Sequence, residues 1–99
     1  MNMQKILQEA KKMQTKIAKE QEELENKEFE GVSSLVSVKM NGKHEVLSIS
    51  LNIDKTFDMN DKDMLEDMIL LAVNDANKKI QEEQEKTFGK YGNNMFGMM

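Results

Sequence analysis

The chain has no cysteine, no arginine and a single histidine among its 99 residues. Without cysteine there is no disulfide framework and no thiolate chemistry. The one histidine, His44, falls in or beside a turn, where it reads as a solvated residue and not as a catalytic base. There is no glycine-rich phosphate loop and no His/carboxylate set with metal-ligand spacing. An enzyme is therefore not expected, and neither a cofactor nor a metal is expected. No apolar run approaches the roughly 18 to 20 residues that span a bilayer. Residues 1–12 alternate polar and apolar types and lack the apolar stretch of a signal peptide, so a cytoplasmic location is the expectation.

What the chain does have is a hairpin pattern at residues 35–53: LVSVKM, then Asn41-Gly42, then KHEVLSISLNI. Asn-Gly suits a two-residue turn in which both central residues take positive φ. That turn predicts Met40 opposite Lys43, Val38 opposite Glu45, Val36 opposite Leu47, Ser34 opposite Ile49 and Val32 opposite Leu51. Alternate residues share a face, so Val32, Val36, Val38, Met40, Leu47, Ile49 and Leu51 are expected on one apolar surface. A lone hairpin is marginal in water. Its apolar face must pack on helices, on another subunit, or on both.

Helical periodicity brackets the hairpin. Met3, Ile6, Ala10, Met13, Ile17 and Leu24 recur at spacings of three and four, which predicts a helix over residues 3–27 with an a/d seam suited to pairing with another helix. At 100° per residue Lys5, Lys12, Lys16 and Lys19 fall within an arc of about 60°, to one side of that seam. Lysines beside such a seam read most plainly as a solvated flank; a stripe that tracks phosphates is the sharper reading. Residues 29–33 lead into the hairpin as a short possible first strand, so the sheet has two or three strands. Asp58, Asn60 and Asp61 resemble the opening of a calcium loop, but Asp63 stands where glycine belongs and Ile69 where a bidentate glutamate belongs. A helix start with Asn60 or Asp61 as N-cap explains the same residues.

A second helix is predicted over residues 62–87. Met64, Leu65, Met68, Ile69, Ala72, Val73, Ala76 and Ile80 form its apolar face, and the polar run KKIQEEQEK is expected to extend past the core. The tail from Gly89 has no periodicity and is expected to be flexible. The fold class is α+β: a long N-terminal helix, a two- or three-stranded antiparallel sheet and a C-terminal helix, as one domain over 1–88 with a tail at 89–99. A core this small gains from oligomerisation.

Net charge is −4, which taken alone disfavours a nucleic-acid partner. The signs are segregated, however. Residues 1–19 carry five lysines against Glu9, and residues 20–30 carry six glutamates against Lys27. The hairpin LVSVKMNGKHEVLSISLNID, the helix MLEDMILLAVNDANKKI with its Asn74-Asp75-Ala76, and KKMQ at 11–14 together resemble the YbaB/EbfC family of bacterial nucleoid-associated proteins, over roughly residues 3–90. The resemblance implies an α-β-β-β-α subunit that forms a tweezer-shaped homodimer, binds double-stranded DNA and lies in the cytoplasm with the nucleoid. No short DNA-reading motif transfers, so charge placement names the DNA-binding candidates: Lys5, Lys11, Lys12, Lys16, Lys19, Lys78 and Lys79. With no arginine for bidentate reading of guanine, contacts to phosphates and weak sequence selectivity are expected. The expected dimer interface is Ile6, Met13, Ile17, Val36, Val38, Leu47, Ile49 and Leu51. The alternative reading, from the acidic balance and ten methionines, is a protein-binding adaptor or small chaperone.

Overall fold

Two helices flank three strands. Helix α1 (Met3–Asn26) leads into β1 (Glu28–Ser33), β2 (Val36–Asn41) and β3 (Val46–Leu51), and after a 3-10 turn at Met59–Asp61 the chain ends in α2 (Lys62–Phe88). The structure, a computed structural model, describes residues 2–54 and 57–89; the tail expected to be flexible lies, apart from Gly89, outside them. The sheet is antiparallel in the order β1-β2-β3, so the three-stranded alternative is the one that forms.

The hairpin forms with a different register. Val36 pairs with Leu51, Val38 with Ile49 and Met40 with Val46, a slip of four residues at Val36 and Val38 from the expected pairing. Three features displace the two-residue Asn-Gly turn. The Asn41 side chain accepts from the amides of Lys43 at 2.9 Å and Glu45 at 3.1 Å. His44, not Gly42, takes positive φ, at 67°. Gly42 is instead pressed on α1: its amide donates to the Glu25 carbonyl at 3.1 Å, and a Cβ there would meet the Leu24 carbonyl. The loop therefore spends its glycine on a close approach and its left-handed position on a histidine. Leu47 becomes the extra residue of a bulge opposite Lys39 and Met40.

A slip of an even number keeps each side chain on its face, so Val36, Val38 and Met40 are buried as expected. Val32 is not among them. It belongs to β1, opposite Ser37, and is half exposed on the polar face. Phe29 and Gly31 take its place on the inner face, because the chain reverses at Ser34 and Leu35, with Ser34 at φ 50°.

Helix α2 packs on β1 and β2. Ala72, Ala76 and Ile80 are fully buried, and Leu65, Met68, Ile69 and Val73 are packed around them, whereas Met64 is exposed. Small residues at 72 and 76 let the helix approach closely, and a Cβ on Gly31 would overlap the Ala72 carbonyl and the Ala76 amide nitrogen. The polar second half of α2 does not run free of the core: Phe88 is buried and Glu83 pairs with Lys27 at 3.1 Å. Before α2 it is Asp58 that caps, accepting from the Asn60 amide at 3.0 Å, while Asp61 makes no side-chain cap bond. None of the helices in the described residues is long and apolar enough to cross a membrane.

Candidate nucleic-acid interface

Helix α1 starts where Asn2 caps it, its side chain accepting from the amides of Gln4 at 3.0 Å and Lys5 at 3.4 Å. Its anchorage lies at the other end. Every residue over 2–16 is exposed, Ile17 is the first with partial cover, and Leu24 is the one buried residue of the helix. Below Leu24, the joint is held by the Gly42 amide on Glu25, by Lys27 to Glu83, and by the Lys27 ammonium 5.5 Å from the centre of the Phe29 ring. The molecule measures 72 × 21 × 15 Å, with α1 as a projecting arm about 36 Å long.

The arm carries the lysines. Lys5, Lys12, Lys16 and Lys19 are exposed along about 21 Å of one helix flank, the rise of roughly six base steps of duplex at 3.4 Å per step. Lys11 lies about 110° round from the centre of that stripe. None of the ion pairs Lys27–Glu83, Lys62–Glu66 and Lys79–Asp75 draws on it. Lys5 lies in the first turn, at the positive end of the helix dipole, with no acidic residue in that turn and no basic residue in the last. This is the reverse of the arrangement that stabilises a helix. At Lys5 the positive end of the dipole and the side-chain charge reinforce each other instead.

Lys78 and Lys79 belong to α2, against β1, and do not continue the α1 stripe. Lys79 is committed locally: Nζ donates to the Glu30 carbonyl at 2.7 Å and pairs with Asp75 at 3.3 Å. Asp75 in turn accepts the Val32 amide at 3.0 Å. The Val32 amide, and then Lys79, hold the Asp75 carboxyl below the usual carboxylate value. The sequence offered only the i, i+4 spacing of Asp75 and Lys79 as a hint of this pair, because its partners on β1 lie 43 and 49 residues away. His44 contacts Asn77 of α2 at 2.8 Å, a link between loop and helix that no sequence signal announced.

Of the residues expected at a dimer interface, Val36 and Val38 have no exposed surface, because α2 of the same subunit covers them. Ile17 packs partly against the core. Ile6, Met13, Leu47, Ile49 and Leu51 are each 41 to 55% exposed, which leaves these five accessible to a partner. No group of three or more potential metal-ligating side chains comes together among the described residues.

The fold is shared with an uncharacterized protein of Helicobacter pylori, whose crystal structure superposes with a TM-score of 0.70 over 93% of this chain and 99% of that one, at 21% identity. Two proteins named as nucleoid-associated are similar along nearly their whole length. One from Ligilactobacillus salivarius is 40% identical over 99% of this chain and 95% of its own, and one from Enterococcus faecalis is 41% identical over 97% and 93%. Residues 1–95 match the YbaB/EbfC DNA-binding family. With that match and relatives of this identity over both full lengths, the chain belongs to the YbaB/EbfC DNA-binding family.

Proposed function

We propose that the protein is a nucleoid-associated, DNA-binding homodimer of the cytoplasm whose α1 lysines contact the phosphates of double-stranded DNA with weak sequence selectivity. The observation that carries this reading is the placement of charge on α1. Four exposed lysines share one flank of an arm whose buried anchorage is at its far end, and the first of them, Lys5, sits in the first turn, where the helix dipole disfavours it. A row of exposed like charges along one flank fits an anionic polymer in length and sign. Phosphate contacts position a protein without reading bases, and lysine is a mobile point charge on a flexible stem. Lys11 and Lys78 add to the field more weakly, while the Asp75 partner offsets the charge of Lys79.

The homodimer is supported by what a single chain leaves uncovered: Met3, Ile6 and Met13 along the α1 seam, and all six residues of β3. Two-fold symmetry doubles the lysine stripe. The test is fluorescence anisotropy of a random-sequence duplex titrated with salt, on protein whose mass in solution is known. The expected result is binding that weakens steeply with salt. In the Lys12→Glu/Lys16→Glu variant four lysines are lost per dimer, so the slope of log K against log salt becomes shallower by about 3 to 4. Unchanged affinity and slope in a correctly folded variant would refute the stripe.

A further inference from the structure

Asn41 is the only asparagine of the chain that is followed by glycine. Such a pair is chemically labile, because the amide nitrogen of the following residue attacks the asparagine side-chain carbon, and glycine has no side chain to hinder that approach and a backbone free to reach it. In the folded chain both reacting groups are held elsewhere.

The group under attack is tied at each of its polar atoms. The Asn41 amide donates to the Glu45 carbonyl at 3.1 Å, and its carbonyl accepts from the His44 amide at 3.0 Å. Its side-chain Oδ1 accepts from the amides of Lys43 at 2.9 Å and Glu45 at 3.1 Å, while Nδ2 donates to Glu45 Oε1 at 2.8 Å. Three bonds therefore turn the side chain toward residues 43 and 45.

The attacking group is tied to a different element. The Gly42 amide donates to the Glu25 carbonyl at 3.1 Å, in the last turn of α1. Attack needs that nitrogen to give up its proton and swing onto the Asn41 side chain, so its bond to α1 has to break first. The contact is also close-fitting: a Cβ on Gly42 would meet the Leu24 carbonyl, and Leu24 is the one buried residue of α1. Lys27, bonded to Glu83 and lying over the Phe29 ring, holds the same joint from outside.

We propose that Asn41-Gly42 is a site of spontaneous deamidation gated by the docking of α1, closed while Glu25 holds the Gly42 amide and open when the helix lifts off the loop. In the open state the Gly42 nitrogen bonds to Asn41 Cγ and the Cγ–Nδ2 bond breaks. The Gly42 proton passes through water to the departing nitrogen, which leaves as ammonia. Water then opens the cyclic imide at one carbonyl or the other, leaving aspartate or isoaspartate. Neither product suits the docked loop. A carboxylate replaces the Nδ2 donor that lay 2.8 Å from Glu45, so attraction becomes repulsion between like charges. Isoaspartate also adds a methylene to the backbone beside Gly42, where α1 leaves no room for a Cβ. A chain that has reacted holds α1 less firmly, and the change runs one way.

The test incubates the full chain in neutral buffer and follows deamidation by mass spectrometry of residues 40–43, which trypsin releases by cleaving after Lys39 and Lys43. Folded wild type is expected to react at least about tenfold more slowly than the same chain in urea, because its reactive state is a local opening. Leu24→Ala and Lys27→Ala loosen the joint from its buried and its exposed side. Each is expected to react at least about threefold faster than wild type while hydrogen exchange finds β2 still protected. Equal rates for folded and unfolded wild type overturn the lock on the loop. Wild-type rates in both variants overturn the gating by α1. Deamidated chain, separated by ion exchange, is expected to lose hydrogen-exchange protection over residues 17–26, and unchanged protection there overturns the loosening of α1.

Discussion

Gly31 and Asp75 hold α2 to β1 by opposite means, one by having no side chain and the other by the bonds its side chain makes. Because the atoms that a Cβ at 31 would strike are backbone atoms of α2, they cannot move aside as a flexible side chain does. Gly31→Ala is expected to destabilise the fold by about 1 to 3 kcal/mol, read as a lower urea midpoint. The Asp75 carboxyl is held below its ordinary value of 3.8 in the folded chain, by the Val32 amide first and Lys79 next. Its stabilising contribution is therefore complete above the unfolded value and is lost as the pH falls below about 4 through the folded one. Thermal melts of wild type and Asp75→Asn should differ at neutral pH and converge as acid is added. A constant gap down to pH 2 would contradict that assignment.

At the scale of elements, α1 trades stability for field. Its first turn holds Lys5 and no acid, and its last turn holds no base. Lys5→Glu should therefore strengthen the helix, by about 0.3 to 1 kcal/mol at low salt, and at the same time weaken DNA binding. Circular dichroism melts and anisotropy on one variant check both signs. If DNA affinity rises with stability, the stripe does not include Lys5. The helices themselves were legible because a 3.6-residue period survives any change in tertiary context. The observed Met3–Asn26 and Lys62–Phe88 fall within a residue or so of the spans that periodicity and caps predict. The β2-β3 register was not legible. Asn41-Gly42 has the signature of a two-residue turn, yet Gly42 is pressed against Leu24 and Glu25 of α1, residues that no local window contains.

The whole molecule is an arm attached to a small sandwich of sheet and helix. Residues 2–16 of α1 are all exposed, and an isolated helix of that length is marginal in water. Hydrogen exchange should therefore find the amides of the first half of α1 at least about a hundredfold less protected than those of β2. Duplex DNA should slow exchange there and leave β2 unchanged. Protection gained only in α2 would move the interface away from the arm.

The sequence by itself determined the element types, their order, the polarity of each face and the basic flank of α1, because periodicity, caps and charge spacing are local properties of a chain. The tertiary structure decided which apolar residues are core and which are surface. Val36 and Val38 lie under α2, while Ile49 and Leu51, with the same pattern on the same face, lie beyond it. It also decided that Asp75 and Lys79 of α2 meet the Val32 amide and the Glu30 carbonyl of β1. Both outcomes depend on where α2 comes to rest across the strands, which is set by packing at Gly31, Ala72 and Ala76 between segments some 40 residues apart.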